Sequence, residues 1–283
     1  MVTIEDYQAG PTTWCPGCGN FGILSALKKA LVGLGKAPHE ILIVSGIGQA
    51  GKLPHYLKCN GFNGLHGRAL PLATGAKMAN GELAVIVVGG DGDGYGEGGN
   101  HFLHAARRNI DLTYMVHNNQ VYGLTKGQAS PTSDPGTISR FTPQGSPPAF
   151  NPLAIAIAAG CSFVARSFAG DQDHLAKMIQ AGINHKGFAF IDVLQPCVSF
   201  NHVNTFTWYK QRVYKLEGTD YRPDNKLAAF EKAQEWGERI PIGILYQADR
   251  PIFEDQFPSL AEEPLVKRQI EPKKADKLLA TFM

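Results

Sequence analysis

The chain has 283 residues, with 27 basic and 25 acidic side chains and a formal net charge of +2. This near balance argues against a nucleic-acid-binding protein, because binding to backbone phosphates requires a concentrated basic surface. A hydrophobic content of 43% and a charged content of 18% exclude global disorder and fit a folded soluble protein. The 32 glycines predict many tight turns or close approaches of the backbone to a ligand, and the five cysteines cannot all pair with one another.

The sequence also bears on location. No run of apolar residues is long enough to cross a bilayer, and the first residues lack the basic region and apolar core that are typical of a signal peptide. We therefore expect no membrane association and a cytoplasmic location. In a reducing compartment, cysteines are candidates for metal or cluster ligands rather than for disulfides.

Helix-like and strand-like segments alternate along the first 200 residues. Periodicity and composition predict helices over 20–34, 68–80, 153–159 and 174–184, and one more that ends at Arg108. Short apolar runs predict strands over 40–45, 83–88, 112–116, 163–168 and 188–194. Strands that are apolar on both faces and alternate with helices indicate an α/β fold, with a mostly parallel sheet covered by helices on both faces.

The pattern weakens after Cys197. We expect residues 1–200 to form one ligand-binding domain, and residues 201–283 to form a C-terminal extension packed on the same domain and on a partner subunit. From Gln247 onward, several prolines and mixed charges predict a tail that lies on a partner or is partly disordered.

The strongest local signal is Gly90-Asp91-Gly92, directly after one predicted strand, matched by Asn118-Asn119 directly after the next. A right-handed crossover would bring the two strand ends together at one edge of the sheet, where ligands of open α/β sheets bind. The Asp91 carboxylate and the Asn119 amide oxygen are hard ligands suited to Mg²⁺ beside a bound phosphate.

Neighbouring segments could complete such a site. A helix that opens near residues 96–100 would present free N–H groups to anionic oxygens, and a carbonyl within residues 120–123 could join the metal shell. The alternative is that both segments are ordinary turns without a ligand. A glycine-aspartate turn and an asparagine pair, each at a strand end and one crossover apart, favour the diphosphate-and-metal interpretation.

This pair of motifs resembles the thiamine diphosphate motif of thiamine-dependent enzymes. The wider match is with the β subunit of a 2-oxoacid:ferredoxin oxidoreductase, whose sequence blocks occur here in the same order over about residues 13–200. The blocks are WCPGCGN at the start, SGIG near 45, LHGRALPLATG near 65, GGDGD at 89, VYGLTKGQASPT at 121 and DVLQPC at 192.

The resemblance implies a thiamine-diphosphate-binding fold, with this cofactor and Mg²⁺ bound to the domain 1–200. Asp91, Asn119 and the Val121 carbonyl would be the magnesium ligands. Lys52, His66 and Leu124 would lie at the catalytic end, with Lys52 close to the substrate carboxylate and Leu124 against the thiazolium. The residues implied to contact the cofactor are Gly48, His66, Gly67, Gly90, Asp91, Gly92, Asp93, Asn119, Val121, Tyr122, Gly123, Leu124 and Thr125.

The cysteines suggest a second metal site in the N-terminal segment. Cys15 and Cys18, separated by two residues, could reach one metal or cluster, but two more ligands are needed from the other three cysteines. Cys197 follows a strand end, whereas Cys161 lies in an apolar stretch and is expected in the core. Four thiolates permit zinc or a four-iron, four-sulfur ([4Fe–4S]) cluster.

The resemblance decides for the iron–sulfur cluster. Many family members carry the third cysteine directly after the SGIG turn, and this chain has Gln49 there. We expect Cys59, ten residues later, to supply the missing thiolate beside Cys15, Cys18 and Cys197. The alternatives are three thiolates with a non-cysteine ligand, or no intact cluster.

The resemblance further implies coenzyme A-dependent oxidative decarboxylation of a 2-oxoacid, with electrons passing through the cluster to ferredoxin, or the reverse carboxylation. The chain lacks a recognisable pyrimidine-binding domain, so a larger α (or fused γ–α) subunit would complete the active site in a heterodimer or a dimer of heterodimers. The VYGLTKGQ block resembles that of two-subunit enzymes that act on 2-oxoglutarate or on several 2-oxoacids, more than that of strictly pyruvate-specific ones, and we expect 2-oxoglutarate. The alternatives are a pyruvate-preferring member of the family, a non-redox thiamine-dependent lyase or synthase, or a non-catalytic cluster or zinc module.

Overall fold

A computed structural model describes residues 1–269 and 272–282. Its main feature is an eight-stranded sheet with the strand order β2-β1-β3-β4-β8-β7-β10-β9. The strands are β1 (Ile41–Ser45), β2 (Asn60–Asn63), β3 (Ala84–Gly90), β4 (Leu112–Asn118), β7 (Phe163–Phe168), β8 (Phe188–Leu194), β9 (Val213–Lys215) and β10 (Ile240–Gln247). All pairings in this sheet are parallel except that of β10 with β7, and a separate hairpin pairs β5 (Val121–Tyr122) with β6 (Gln128–Ala129).

The helices cover both faces of the sheet. They are α1 (Asn20–Gly33), α2 (Ala69–Ala79), α3 (Gly99–Arg108), α4 (Pro152–Ala158), α5 (Gln172–Asn184), α6 (Phe206–Arg212), α7 (Lys226–Ala233), α8 (Pro258–Glu262) and α9 (Pro272–Leu279). Buried residues of α1 and α5 pack with the sheet in one core layer, and those of α2, α3, α4 and α7 pack on the opposite face in a second layer. This arrangement confirms the predicted α/β class with a mostly parallel sheet.

The predicted helices and strands of the first 200 residues are present, with ends that differ by one or two residues in most cases. Two differences matter for the site. Strand β3 continues to Gly90 and β4 to Asn118, so Asp91 and Asn119 each follow the last residue of a strand.

The C-terminal region contributes to the same sheet, which the sequence pattern did not indicate. Strands β9 and β10 extend the sheet beyond β7. Strand β10 contains Pro241 and Gly243, two residue types that are rare inside strands, and Gly243 adopts a positive φ of 130°. The predicted tail after Gln247 begins with short helical segments, and residues 270, 271 and 283 of that tail lie outside the described residues.

Among the described helices, none has both the length and the apolar character needed to span a bilayer.

Candidate active site

The candidate site is a cleft at the carboxyl edge of the sheet. Strand β3 lies between β1 and β4, so the loops that follow these three parallel strands meet at one edge. The cleft is lined by Ile47, Gly48, Gln49, Ala50, His66, Gly90, Asp91, Gly92, Asp93, Asn119, Val121, Tyr122, Gly123, Leu124 and Thr125. The structure therefore brings together all the residues that the sequence analysis assigned to the cofactor except Gly67, which borders the cleft through its contact with Asp93.

Asp91 lies at the base of the cleft and is 1% exposed. Its carboxylate accepts hydrogen bonds from the Ser130 hydroxyl and from Thr132 Oγ1, the latter at 2.7 Å. Burial raises the pKa of Asp91 to about 6, although the hydrogen bonds from Ser130, Thr132 and the Asn119 backbone oppose this rise. A nearby cation would favour the ionised form of such a carboxylate, so the site suits a metal ion.

Asn119 and Val121 flank a tight turn. Gln120 between them has a φ of 61°, a left-handed conformation that costs a side-chain-bearing residue roughly 1 kcal/mol. The turn is held because Gln120 Nε2 donates to the Thr132 carbonyl at 2.7 Å and Ser133 Oγ donates to the Gln120 carbonyl at 2.6 Å. The Asn119 side chain accepts a hydrogen bond from the Val121 amide at 3.0 Å, and both residues line the cleft.

Asp93 joins two loops around the cleft. Its Oδ1 accepts hydrogen bonds from the Ile47 amide at 3.0 Å and the Gly67 amide at 2.8 Å, and His66 Nδ1 lies 3.1 Å from the same oxygen. Gly46 packs so closely that a Cβ there would lie 2.0 Å from the Asp93 carboxylate. Asp93 thus lines the cleft, but its carboxylate orders the loops after β1 and before α2.

The helix after β3 begins earlier than the sequence analysis predicted. A π-helical segment, Gly92–Glu97, starts immediately after Asp91 and leads into α3, so the first helical N–H groups belong to residues beside Asp91 rather than to residues 96–100. Gly92 is required here, because a Cβ would lie 2.3 Å from the Tyr122 ring.

The predicted catalytic residues occupy different positions. His66 is partly exposed at the cleft, and its ring centroid lies 6.5 Å from that of Tyr122. Leu124 is 44% exposed at the cleft mouth. Lys52 does not line the cleft; its Nζ lies 3.3 Å from Thr13 Oγ1, and none of the ion pairs found among the described residues includes it.

Several residues of the cleft were not predicted from the sequence. Ile47, Gln49 and Ala50 line it because they follow the glycine turn at the end of β1, and the SGIG motif was the available signal. Ser130 and Thr132 lie within the quoted VYGLTKGQASPT block but were given no role. Their contact with Asp91 joins positions 39 and 41 residues apart, so it depends on how the chain returns to the cleft.

A second cavity lies next to the cleft. Cys15, Cys18 and Cys197 all line it, together with Gln49 and Gln195. Gln195 Nε2 donates to Cys18 Sγ at 3.4 Å. Burial raises the pKa of the Cys18 thiol to about 11, and the nearby Cys197 and Cys15 thiols contribute to this rise.

The structure does not bring Cys59 to these three cysteines. Cys59 packs on the core beside Tyr7, and its Sγ donates to the Asn60 carbonyl at 3.3 Å. Cys161 is fully buried, as expected for a core residue. Within the described part of the chain, no three His, Cys, Asp or Glu side chains are arranged to hold a single metal ion.

Comparison with known proteins identifies the family. Residues 46–193 match the family described as "Thiamine pyrophosphate enzyme, C-terminal TPP binding domain", and residues 197–262 match the family that describes the C-terminal part of the pyruvate ferredoxin oxidoreductase beta subunit. The chain is 49% identical over 258 residues to the 2-oxoacid:ferredoxin oxidoreductase subunit beta of a Sulfolobus species, with 86% of this chain and 85% of that one covered.

A further relative and a solved structure belong to the same family. The 2-oxoglutarate synthase subunit KorB of Methanothermobacter marburgensis is 41% identical over 256 residues, with 89% of each chain covered. The solved 2-oxoglutarate:ferredoxin oxidoreductase of Magnetococcus marinus, with 2-oxoglutarate, coenzyme A and succinyl-CoA bound, superposes with a TM-score of 0.90 at 36% identity, covering 98% of this chain and 96% of that one. The chain therefore belongs to the β subunits of the 2-oxoacid:ferredoxin oxidoreductases, an oxidoreductase family with a thiamine diphosphate-binding domain.

Proposed function

We propose that this subunit takes part in the coenzyme A-dependent oxidative decarboxylation of 2-oxoglutarate to succinyl-CoA and CO₂, with ferredoxin as the electron acceptor, or in the reverse carboxylation. The observation that carries the proposal is the cleft, in which the loops after β1, β3 and β4 gather the predicted cofactor residues at one sheet edge. The preference for 2-oxoglutarate is supported by the solved Magnetococcus marinus enzyme and by the KorB relative.

Mg²⁺ and the cofactor diphosphate would bind at the base of the cleft. Asp91, Asn119 and the Val121 carbonyl would hold the ion, since they offer oxygen ligands next to a glycine-rich backbone. Ser130 and Thr132 hold the Asp91 carboxylate in place through one of its oxygens. When bound, thiamine diphosphate supplies the electron sink for decarboxylation.

His66 would act on the substrate in the cleft, and Lys52 would pair with the substrate carboxylate from beyond the cleft lining. The Lys52 ammonium contacts a hydroxyl and takes part in none of the ion pairs among residues 1–269 and 272–282, so it is available to a substrate carboxylate through a charge-assisted hydrogen bond. Asp93 orients His66 from its Nδ1 side, and His66 lines the cleft. The exposed Leu124 side chain would wall off the reacting end of the cofactor from water.

Electrons would leave through an iron–sulfur cluster bound by Cys15, Cys18 and Cys197. Gln49, Asn119 and Gly123 line both the cysteine cavity and the cleft, so the two sites share a wall. The acid that acts on the cofactor pyrimidine would come from the partner α subunit, which closes the cleft.

The test is anaerobic co-expression of this chain with its α subunit. Coenzyme A-dependent viologen reduction would be measured with 2-oxoglutarate, pyruvate and 2-oxobutyrate, and 2-oxoglutarate is expected to give the highest kcat/KM. A higher kcat/KM for pyruvate would contradict the assignment of 2-oxoglutarate as the substrate but would agree with the proposed reaction. An absence of reduction with every 2-oxoacid, in a complex that contains thiamine diphosphate, would contradict the reaction and favour a non-redox thiamine enzyme.

A further inference from the structure

The cysteine cavity offers three thiols, and its other polar lining residues are Asn20, Gln49, Asn119, Gln195 and Ser199. Among the described residues of this lining, Gln49 is the one with a buried side-chain oxygen that lacks a hydrogen-bond partner. Cys15 and Cys18 precede α1, and Cys197 follows β8, so the three reach the cavity from two segments that meet at the carboxyl edge of the sheet. The meeting is fixed because the Gly19 amide donates to the Pro196 carbonyl at 3.1 Å.

Gln49 is held at this cavity with a free oxygen. Trp14 Nε1 donates to the Gln49 carbonyl at 2.8 Å, which ties the loop after β1 to the cysteine segment. The side-chain Oε1 of Gln49 is buried and has no hydrogen-bond partner among the described residues. An amide oxygen that is withdrawn from water and left without a donor is energetically unfavourable, so it marks a position where a partner is expected.

Cys59 cannot take this place without a rearrangement of the sheet. Strands β1 and β2 run parallel, with Leu42 opposite Asn60 and Ser45 opposite Asn63. Cys59 therefore lies at the amino end of the pair, whereas Gln49 follows its carboxyl end, about 10 Å further along the strand direction. The amide of the adjacent Lys58 donates to the Tyr7 carbonyl at 3.2 Å, which holds this segment against the N-terminus.

We infer that the iron–sulfur cluster of this subunit is held by three thiolates, Cys15, Cys18 and Cys197, and that the amide oxygen of Gln49 faces the fourth iron. The inference rests on the proposed function for the presence of the cluster, and concerns which residues hold it. A four-iron cube spreads its ligands over separate corners, so it does not require the tight convergence that a single ion needs.

This ligand set has two chemical consequences. A neutral oxygen in place of a thiolate makes the cluster site one charge less negative, which raises its reduction potential. The iron at that corner is also held weakly. When ferricyanide removes one electron from the 2+ cluster, the resulting [4Fe–4S]³⁺ state releases Fe²⁺ and leaves [3Fe–4S]⁺, so that iron and charge both balance.

The test uses the anaerobically purified complex of both subunits, titrated with ferricyanide and followed by electron paramagnetic resonance and by released iron. Wild type is expected to yield about one Fe²⁺ per cluster and the signal of a three-iron cluster, which added Fe²⁺ and reductant reverse. Gln49→Cys should suppress that signal and shift the midpoint potential of the cluster to a lower value, because a fourth thiolate then binds the fourth iron. Gln49→Ala should keep the cluster and lose the iron more readily.

Matched cysteine variants separate this inference from the proposed function. Cys59→Ser should retain the iron and sulfide content of wild type, whereas Cys197→Ser should lose most of it. If Cys59→Ser instead loses the cluster while wild type reduces viologen with a 2-oxoacid, the ligand assignment is overturned and the reaction stands. A Gln49→Cys complex that releases iron as wild type does would also overturn it. A wild-type complex without iron and sulfide would overturn both.

Discussion

Single residues around the cleft act mainly by holding loops in place. Asp93 illustrates this, because its buried carboxylate accepts hydrogen bonds from two loop amides that come from different parts of the chain. Asp91 plays a different part, since its carboxylate is fixed by two hydroxyls and would meet the metal ion. The two aspartates, only two positions apart, should therefore respond differently to substitution.

Asp93→Ala should destabilise the fold. The change leaves the amides of Ile47 and Gly67 without their partner, and each buried donor left unpaired costs roughly 1–3 kcal/mol. We expect the free energy of unfolding in urea to fall by about 2–4 kcal/mol. Asp173→Ala removes a pair between exposed side chains, Lys29 and Asp173, and a negative charge in the first turn of α5, and should change stability by less than about 1 kcal/mol. Equal stability of both variants would contradict the role of Asp93.

Asp91→Asn should weaken cofactor binding with little effect on folding. An asparagine oxygen can still accept the hydrogen bonds of Ser130 and Thr132, but the substitution removes the negative charge that attracts Mg²⁺. The affinity of the two-subunit complex for thiamine diphosphate, measured by calorimetry in the presence of Mg²⁺, should drop at least about tenfold, or ~1.4 kcal/mol. Asp173→Asn serves as the control for loss of one negative charge. An unchanged affinity would argue against a metal at Asp91.

At the scale of elements, the position of α1 depends on a close backbone contact. Gly22 of α1 packs against the loop after β7, where a Cβ would lie 2.2 Å from the Ala169 carbonyl oxygen. This contact sets the start of α1, and with it Cys15 and Cys18, relative to the sheet. Gly33 at the other end of the same helix would meet only the end of the Gln180 side chain.

Gly22→Ala should destabilise the protein even though alanine is the better helix former by roughly 1 kcal/mol. The new methyl group must displace backbone, and such overpacking costs about 1–3 kcal/mol. Gly33→Ala should leave the free energy of unfolding unchanged or slightly higher, because the Gln180 side chain can move aside. The comparison by urea unfolding would contradict the packing argument if Gly22→Ala were as stable as Gly33→Ala.

At the scale of the whole molecule, exposed apolar side chains surround the cleft and the cysteine cavity. This apolar rim consists of Leu124, Ile138, Val198, Phe200 and Val203, of which Ile138 is 75% and Val203 66% exposed. Ile138, Phe200 and Val203 also line a groove beside the turn that carries Val121. An exposed apolar surface next to an incomplete site is typical of an interface, so we expect the partner subunit to cover the rim.

Ile138→Asp and Val203→Asp should each weaken assembly with the partner subunit while leaving the stability of this chain within about 0.5 kcal/mol, because both side chains are on the surface. The elution of the co-expressed subunits in size-exclusion chromatography would report the loss of the complex. Leu227→Asp is the matched control, since Leu227 is 78% exposed on α7 and lines neither the cleft, the cysteine cavity nor the groove. Equal assembly of all three variants would exclude the rim as the interface.

The alternation of strands and helices, and with it the class of the fold, could be predicted from the amino-acid sequence alone. The spacing of hydrophobic residues within a segment indicates which of its faces is buried. Helices and strands could therefore be predicted without the tertiary structure. The aspartate and asparagine of the cleft were predictable for the same reason, since each directly follows a strand. The strands β9 and β10 were not predictable from the sequence. Pro241 and Gly243 are atypical of strands, and β10 forms because it pairs with β7.

Which side chains meet depends on the path of the folded chain. Ser130 and Thr132 reach Asp91, and Asp134 accepts hydrogen bonds from Gln120 Nε2, Asn204 Nδ2 and Trp236 Nε1, because the chain returns to the cleft after long connections. The cysteines make the same point. Sequence spacing suggested Cys59, but the parallel register of β1 and β2 carries it to the opposite end of the strands from the cavity that Gln49 lines. Proximity in sequence therefore could not decide this ligand, since strand direction separates residues that lie only ten positions apart.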